Sequence, residues 1–277
     1  MGFSIEELVN GYRMVFDYHT HTTYSHGFIV PHGKGTVEEN VQAAIARGLE
    51  EIAISDHGPG HVFYGIKMNK IDELRRDIEE SQKRHPEIKI WMSCEANITD
   101  EAGDTDSEKS RNHLDISREE AKKFDFLLGG YHYGVMNCHA VDNWLLARKH
   151  YQEGGNNGLA LETSAAYEKQ RMINTEMYIK TLRENDLRIL THPGDKGPVD
   201  IREVAKVCAE TDTWMEINTW HMHLTTEEIS IAMQEDVKFV ISSDAHTPNR
   251  VGSYLKGLER AFQAGLDPER IVNIKRK

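Results

Sequence analysis

The sequence predicts an α/β fold built on a parallel sheet, and three observations carry that reading. Seven short apolar or β-branched runs recur along the chain, and segments with helical spacing fill the intervals between them. Six of the seven runs end in a histidine or a carboxylate. The chain has 277 residues, and a closed barrel of seven or eight strand–helix units needs about 250. No linker, internal repeat or low-complexity tract interrupts it, so residues 1–277 are read as one barrel domain.

Strands are expected at about 14–19 (MVFDYH), 51–55 (EIAIS), 88–94 (IKIWMSC) and 125–130 (DFLLGG), then at 187–191 (LRILT), 213–218 (TWMEIN) and 238–243 (KFVISS). Val37, Val41, Ala44 and Ile45 form the apolar face of one intervening helix, and Ile71, Leu74 and Ile78 that of another. Thr36 followed by Glu39 has the spacing of a capping box. Residues 131–186 offer no strand and are read as two helices, near 139–152 and 167–184; Val204 to Val207 belong to a later one. The polar stretch 99–118 is expected to be a solvated loop at a strand's exit, able to serve as a lid.

Charge excludes several classes of function. The chain carries 33 Lys and Arg against 45 Asp and Glu, a net charge of −12, which repels nucleic acid and acidic membranes at a distance. No apolar run approaches the 18–20 residues of a membrane span, and the first twenty residues lack a secretory pattern. Glu6 stands where a myristoylation signal carries Ser or Thr. Cys94, Cys138 and Cys208 are too few and too scattered for a disulfide framework, so the expected compartment is the cytoplasm. Fifteen histidines in an acidic chain point instead to metal.

The strand ends locate that chemistry. Asp17, His19 and His21 lie two residues apart and would share a face of an extended strand. The second run ends in Ser55-Asp56-His57, the third in Cys94-Glu95 and the fourth in Gly130-Tyr131-His132. The fifth ends in Thr191-His192-Pro193 and the last in Ser243-Asp244-Ala245-His246. In α/β barrels the C-terminal strand ends converge on one face, so these residues would meet in one pocket. Alternation sends Cys94 away from Glu95 and into the core. His221 and His223 form a second His-x-His pair, for which a structural role is the default reading. His85, His113, His139 and His150 are read as solvated.

In order and spacing these motifs resemble the PHP (polymerase and histidinol phosphatase) superfamily. The matching residues are Asp17/His19/His21, Asp56/His57, Glu95, His132, His192-Pro193 and Asp244/His246, and the run Ser55 to His61 is similar to that of small bacterial PHP phosphatases. The resemblance implies a distorted (β/α)7 TIM-like barrel with three divalent ions (Zn, Mn or Fe) at the C-terminal ends of its strands. It places His19, His21, Glu95 and Asp244 on one ion and His132 and His192 on a second, with Glu95 bridging. His57, His246 and one loop histidine would hold the third. For that loop residue the chain offers both His26, which keeps the spacing from the strand, and His32, which keeps the spacing to the helix; His26 is preferred because the strand is the more rigid reference. Glu95, His61 and Asp17 are the candidate catalytic residues, with His61 read as a proton donor or a surface loop residue. Asp17 and Asp56 are expected to orient ligand histidines. Arg250 and Lys196 are the candidate phosphate contacts, with Arg171 as a third.

The implied activity is hydrolysis of a small phosphomonoester through in-line attack by a hydroxide bridging the ions. The partner is then a small phosphorylated molecule, with no nucleic acid and no membrane. An amidohydrolase-type hydrolase, a nuclease or phosphodiesterase, and a non-catalytic metal-binding PHP domain are the alternatives.

Overall fold

The computed structural model describes residues 5–101, 112–152 and 164–277. Its strands are β1 (Tyr12–Met14), β2 (Phe16–Asp17), β3 (Glu51–Ile54), β4 (Lys89–Asn97), β5 (Phe126–Gly130), β6 (Leu187–Leu190), β7 (Trp214–Asn218), β8 (Phe239–Ser242) and β9 (Ile274–Arg276). From β2 to β8 the strands lie in sequence order, each parallel to the next, while β1 pairs antiparallel with β9. The helices are α1 (Ile5–Asn10), α2 (Val37–Ala46), α3 (Ile71–Arg84), α4 (Arg118–Ala121), α5 (Ala140–Gln152), α6 (Ala165–Glu184), α7 (Ile201–Glu210), α8 (Thr226–Ala232) and α9 (Leu255–Gln263). None of the described helices is long and apolar enough to cross a membrane. The predicted barrel of seven parallel strands is what the chain forms.

The barrel closes between β2 and β8 without a continuous ladder. Near the top, Thr20 bridges Ala245, with the His21 amide donating to the Ala245 carbonyl at 2.8 Å. Lower down, the buried Asn273 side chain fills the seam. It donates to the Phe16 and Ile241 carbonyls at 2.9 and 2.6 Å and accepts from the Ile241 amide at 3.0 Å.

Period-two alternation then divides the interior. Ala53, Leu128, Ile189 and Val240 join Tyr18 in an inner apolar cluster, against which Phe16, Trp91, Phe126 and Trp214 pack. Two and four residues further on, the same inward positions become polar: Ser55 and His57 after Ala53, Glu95 after Trp91, Thr191 after Ile189, Glu216 and Asn218 after Trp214, Asp244 after Val240. All of these are buried. The barrel is thus an apolar plug at one end and a polar well at the other, encoded on the same strand faces.

The helices follow their predicted faces. Val37, Val41 and Ala44 of α2 and Ile71, Leu74 and Ile78 of α3 are buried. The Thr36 hydroxyl accepts from the Glu39 amide and the Glu39 carboxylate accepts from the Thr36 amide, a capping box whose N-cap is worth about 1 kcal/mol.

Several boundaries differ from the prediction. The first strand splits in two because the chain leaves the β1–β9 ribbon at Val15 before joining the barrel. The third runs on to Asn97, so Glu95 lies within β4 rather than beyond its end. The stretch 112–116 is not a solvated loop. Leu114 and Ile116 enter the core, and the buried Asp115 carboxylate accepts from the Gly60 and Asn97 amides at 2.8 Å each. A Cβ on Gly58 would stand 2.3 Å from that carboxylate, which is why the Gly58-Pro59-Gly60 turn opens on glycine. The part of the proposed lid at 102–111 lies outside the described residues.

Candidate metal centre

Glu95, fully buried on β4, is the hub of the polar well. His19 Nε2, His192 Nε2 and His132 Nε2 lie 3.3, 3.1 and 3.6 Å from its Oε1. His57 Nδ1 and His21 Nε2 lie 3.0 and 3.7 Å from its Oε2. Five imidazoles from four strand exits therefore face one carboxylate. Asp244 closes the ring, with Oδ1 3.2 Å from His21 Nε2 and 3.6 Å from His19 Nε2. The His246 ring lies 4.5 Å from that of His21, tilted by 36°.

Local chain geometry makes room for this convergence. A Cβ on Gly130 would lie 2.4 Å from Thr191 Oγ1 and 2.6 Å from Glu95 Oε1, so only glycine leaves space for the carboxylate. His192 and Asp244 both turn the chain with positive φ, 28° and 48°, a region that costs a non-glycine residue about 1–3 kcal/mol. Strain at two side chains of ligand type marks a site where the side chain matters more than backbone comfort.

The imidazoles are held from behind. His19 Nδ1–H donates to Glu216 Oε1 at 2.7 Å, His132 Nδ1–H to Asn97 Oδ1 at 2.7 Å, and His246 Nδ1–H to the Asp244 carbonyl at 3.0 Å. Each bond pins the ring by its Nδ1–H, so that Nε2 is the atom presented to the cluster. Burial works against charge on Glu95 and Asp244, but the facing His19 first, and then His132 and His246 respectively, hold both carboxyls well below the usual range. Burial, with His57 and His246 next to it, pushes His21 well below the ordinary imidazole value.

This donor set fits divalent ions. His19 Nε2, His21 Nδ1, both His57 nitrogens, His246 Nε2 and Glu95 Oε2 are buried without a hydrogen-bond partner. So many unsatisfied polar atoms in one well would each cost about 1–3 kcal/mol, and a cation would satisfy those that carry a lone pair. Ligand atoms come within 4.8 Å of one another in the groups His19/His21/Glu95, His57/Glu95/His132, His21/His57/His246 and His192/His221/Asp244.

Eight of the nine predicted ligands are brought together, and the ninth is not. His26 is exposed and lines an outer groove with Tyr24, Lys67 and Glu73. His32 instead stands against the cluster, its ring 4.2 Å from His246 and 5.3 Å from His57, stacked at 4.0 Å on Tyr64. The segment between them leaves the barrel and returns, with the His32 amide donating to the Ser25 carbonyl at 2.9 Å, so spacing to the helix survived and spacing from the strand did not.

Asp17 and Asp56 do not orient the rings. Asp17 accepts from the Ser243 and Gly252 amides at 3.2 and 2.7 Å and ties β2 to the exit of β8. Asp56 accepts from the amides and hydroxyls of Thr22 and Ser25 and shapes the loop after β2. His61 is buried at the edge of the well, 5.8 Å from His57 and stacked on Tyr64. Lys196 pairs with Asp195, and Arg250 lies over the Trp220 ring at 4.6 Å while donating to the Ser243 carbonyl. Arg171 pairs with Glu168 and Asp200, linking α6 to the start of α7, and takes no part in the well.

Other histidine readings also change. His113 is buried rather than solvated, with Nδ1 3.3 Å from the Thr99 carbonyl. His85 and His139 are partly exposed and paired to Glu38 and Asp100, and the His150 side chain lies outside the described set. Cys94 is a core thiol as expected.

The residues that sequence reasoning missed are Asn97, Glu216 and Asn218, and His221, read there as structural by default, also stands beside Asp244 and His192. Their signal was available. Asn97 follows Glu95 by two, and Glu216 and Asn218 follow the inward Trp214 by two and four, so alternation alone puts them in the well.

A parallel barrel with a carboxylate-bridged cluster of imidazoles at its strand exits defines a metal-dependent hydrolase. The chain belongs to the PHP domain family, whose model matches residues 17–220. It is 26% identical to a probable phosphatase of Proteus mirabilis over 93% of this chain and 89% of that one. A probable phosphatase of Thermoanaerobacter sp. is 25% identical over 94% and 91%. The fold is similar to that of a histidinol phosphate phosphatase from Lactococcus lactis, a structure that holds zinc, L-histidinol and phosphate. The TM-score is 0.58 at 16% identity, over 92% of this chain and 95% of that one. Family and site together make this chain an enzyme of the metal-dependent phosphoesterase class.

Proposed function

We propose that this chain hydrolyses small phosphomonoesters at a centre of three divalent ions, of zinc, manganese or iron. The observation that carries this reading is Glu95, one buried carboxylate shared by five imidazoles, with Asp244 beside it. His19, His21, Glu95 and Asp244 would hold one ion, Glu95, His132 and His192 a second, and His57, His246 and His32 the third. When bound, such ions supply positive charge for the non-bridging phosphate oxygens and acidify water. The zinc, histidinol and phosphate of the Lactococcus lactis enzyme support a ligand of this kind here.

The chain's own groups do the rest. Glu216 and Asn97 keep His19 and His132 in the ligating tautomer. Arg250, stacked on Trp220 and donating to the Ser243 carbonyl, is the candidate contact for a phosphate oxygen. His61 Nδ1 accepts from the Phe63 and Tyr64 amides at 3.3 Å, which puts the proton on the unpartnered Nε2. Burial, together with the neighbouring His57, lowers this imidazole to about 3, so it is neutral and acts as a hydrogen-bond donor to the leaving oxygen rather than as an imidazolium acid. The net charge of −12 disfavours polyanions, and three buried free cysteines fit a cytoplasmic setting.

The test is a panel of phosphomonoesters, phosphodiesters and single-stranded oligonucleotides on protein reconstituted separately with zinc, manganese and iron. Turnover of small monoesters should exceed that of oligonucleotides by at least about 100-fold at physiological salt. Efficient metal-dependent degradation of oligonucleotides would replace this reading with a nuclease.

A further inference from the structure

On the far side of Asp244 from His21 stands His221, in the loop between β7 and α8, a residue outside the family motifs matched by this chain. Its Nδ1 lies 3.1 Å from Asp195 Oδ2, and its Nε2 lies 3.4 Å from Asp244 Oδ2. The loop is anchored: Asn218 Oδ1 accepts from the Trp220 and His221 amides at 2.8 Å each, and Asn218 Nδ2 donates to Glu216 and Asp244. The His221 ring packs 4.9 Å from that of His192.

Asp195 sits where a carboxylate orients a metal-ligating imidazole. An Nδ1–H directed at Asp195 Oδ2, 3.1 Å away, would leave His221 Nε2 as a lone pair. That lone pair then faces the Asp244 carboxylate oxygen. Two acceptors 3.4 Å apart repel each other across empty space, but that is the separation of two ligands bound at about 2.1 Å to one ion.

We propose that His221, oriented by Asp195, is a further metal ligand, which with Asp244 Oδ2 holds a divalent ion beside His192 on the β7 side of the centre. The inference rests on the reading of the well as a metal centre. One local contact offers the opposite tautomer: Lys196 Nζ, itself paired with Asp195, lies 3.3 Å from His221 Nδ1. If Lys196 donates there, Nε2–H donates to Asp244 and no ion is needed.

Zinc titration of the chelator-stripped full chain by calorimetry, with ions per chain by elemental analysis, separates the two. In H221A one binding step should be lost or weakened at least about 100-fold, and in D195N the same step about 10–100-fold, with the other steps within about threefold of the parent. The visible spectrum of the cobalt-substituted protein should lose one ion's contribution in H221A. His221 is partly exposed in a loop, so H221A should fold, and D195N reports on the same step independently. H221A and D195N titrating like the parent would overturn the proposal in favour of the Lys196-donated tautomer. E95Q is the control. Loss of ions in E95Q with none in H221A defeats only this inference, whereas a parent chain that takes up no zinc defeats the metal centre itself.

Discussion

Glu95 shares both of its carboxylate oxygens among imidazoles from different strands. Glu95→Gln keeps its shape and its bond with the Thr191 hydroxyl, 2.7 Å from Oε1, but removes the charge and one lone-pair face. Turnover should fall more than about 100-fold, beyond the 10–100-fold typical of a residue that only orients a ligand. Metal content should drop by at least one ion while circular dichroism stays native; near-normal turnover with full metal content would refute the bridging role. Glu216→Gln tests the support behind it. The His19 Nδ1–H keeps an acceptor but loses a charged one, so zinc affinity should weaken by about 10–100-fold as read by competition with a chelator. The ligand residues were legible because strand exits are where a barrel gathers side chains. His32 was not, because a loop of unknown path separates it from the strand, and sequence distance along such a loop does not translate into space.

At the scale of elements, one side chain fills the lower part of the seam that closes the barrel. Asn273 satisfies one amide and two carbonyls across the β2–β8 seam, and it is fully buried. Asn273→Ala strands these groups in the interior, so equilibrium denaturation should show a loss of about 2–4 kcal/mol. A loss below about 1 kcal/mol would mean the seam is not held this way. The contact between α2 and α3 is electrostatic instead. Burial works against charge on Glu38, but hydrogen bonds from His85, Arg84, Ser81 and Gln42 lower its carboxyl to about 2. A depressed carboxylate stabilises the fold fully above its unfolded value of about 4.5 and loses that contribution as pH falls towards 2. The Tm difference between the parent and E38Q should therefore shrink as pH falls below 4.5, and it should also shrink as pH rises through the folded value of His85, which the bond with Glu38 raises. A difference that grows below pH 4.5 would reverse the sign. Amphipathic spacing revealed α2 and α3, but the bond network between them joins residues more than forty positions apart and has no local signature.

For the molecule as a whole, the polar well is a source of instability that ligands would remove. Buried lone pairs that lack partners oppose folding, and anything that binds only the folded arrangement stabilises it by mass action. Stripping metal should lower Tm by several degrees, since about 1 kcal/mol shifts a chain of this size by roughly 2–4 °C, and zinc should restore it. Gently purified protein should carry more than two divalent ions per chain by elemental analysis; a saturated preparation holding one would end the multinuclear reading.

The sequence by itself determined the barrel and most of its centre. A period of two on the strands and the helical spacing between them are local properties, and a parallel barrel delivers every strand exit to one face whatever the loops do. Hence His19, His21, His57, Glu95, His132, His192, Asp244 and His246 were identifiable in one dimension. Only the tertiary structure brought His32 rather than His26 against the cluster, sent Asp17 and Asp56 to backbone amides, and brought Glu216, Asn97 and His221 behind or beside the candidate ligands. Those choices depend on side chains meeting across the barrel, 197 positions apart for His19 and Glu216, and on loop paths that hydrogen bonds alone determine. Periodicity places a residue on a face, but which atom it meets there depends on the distance across the barrel.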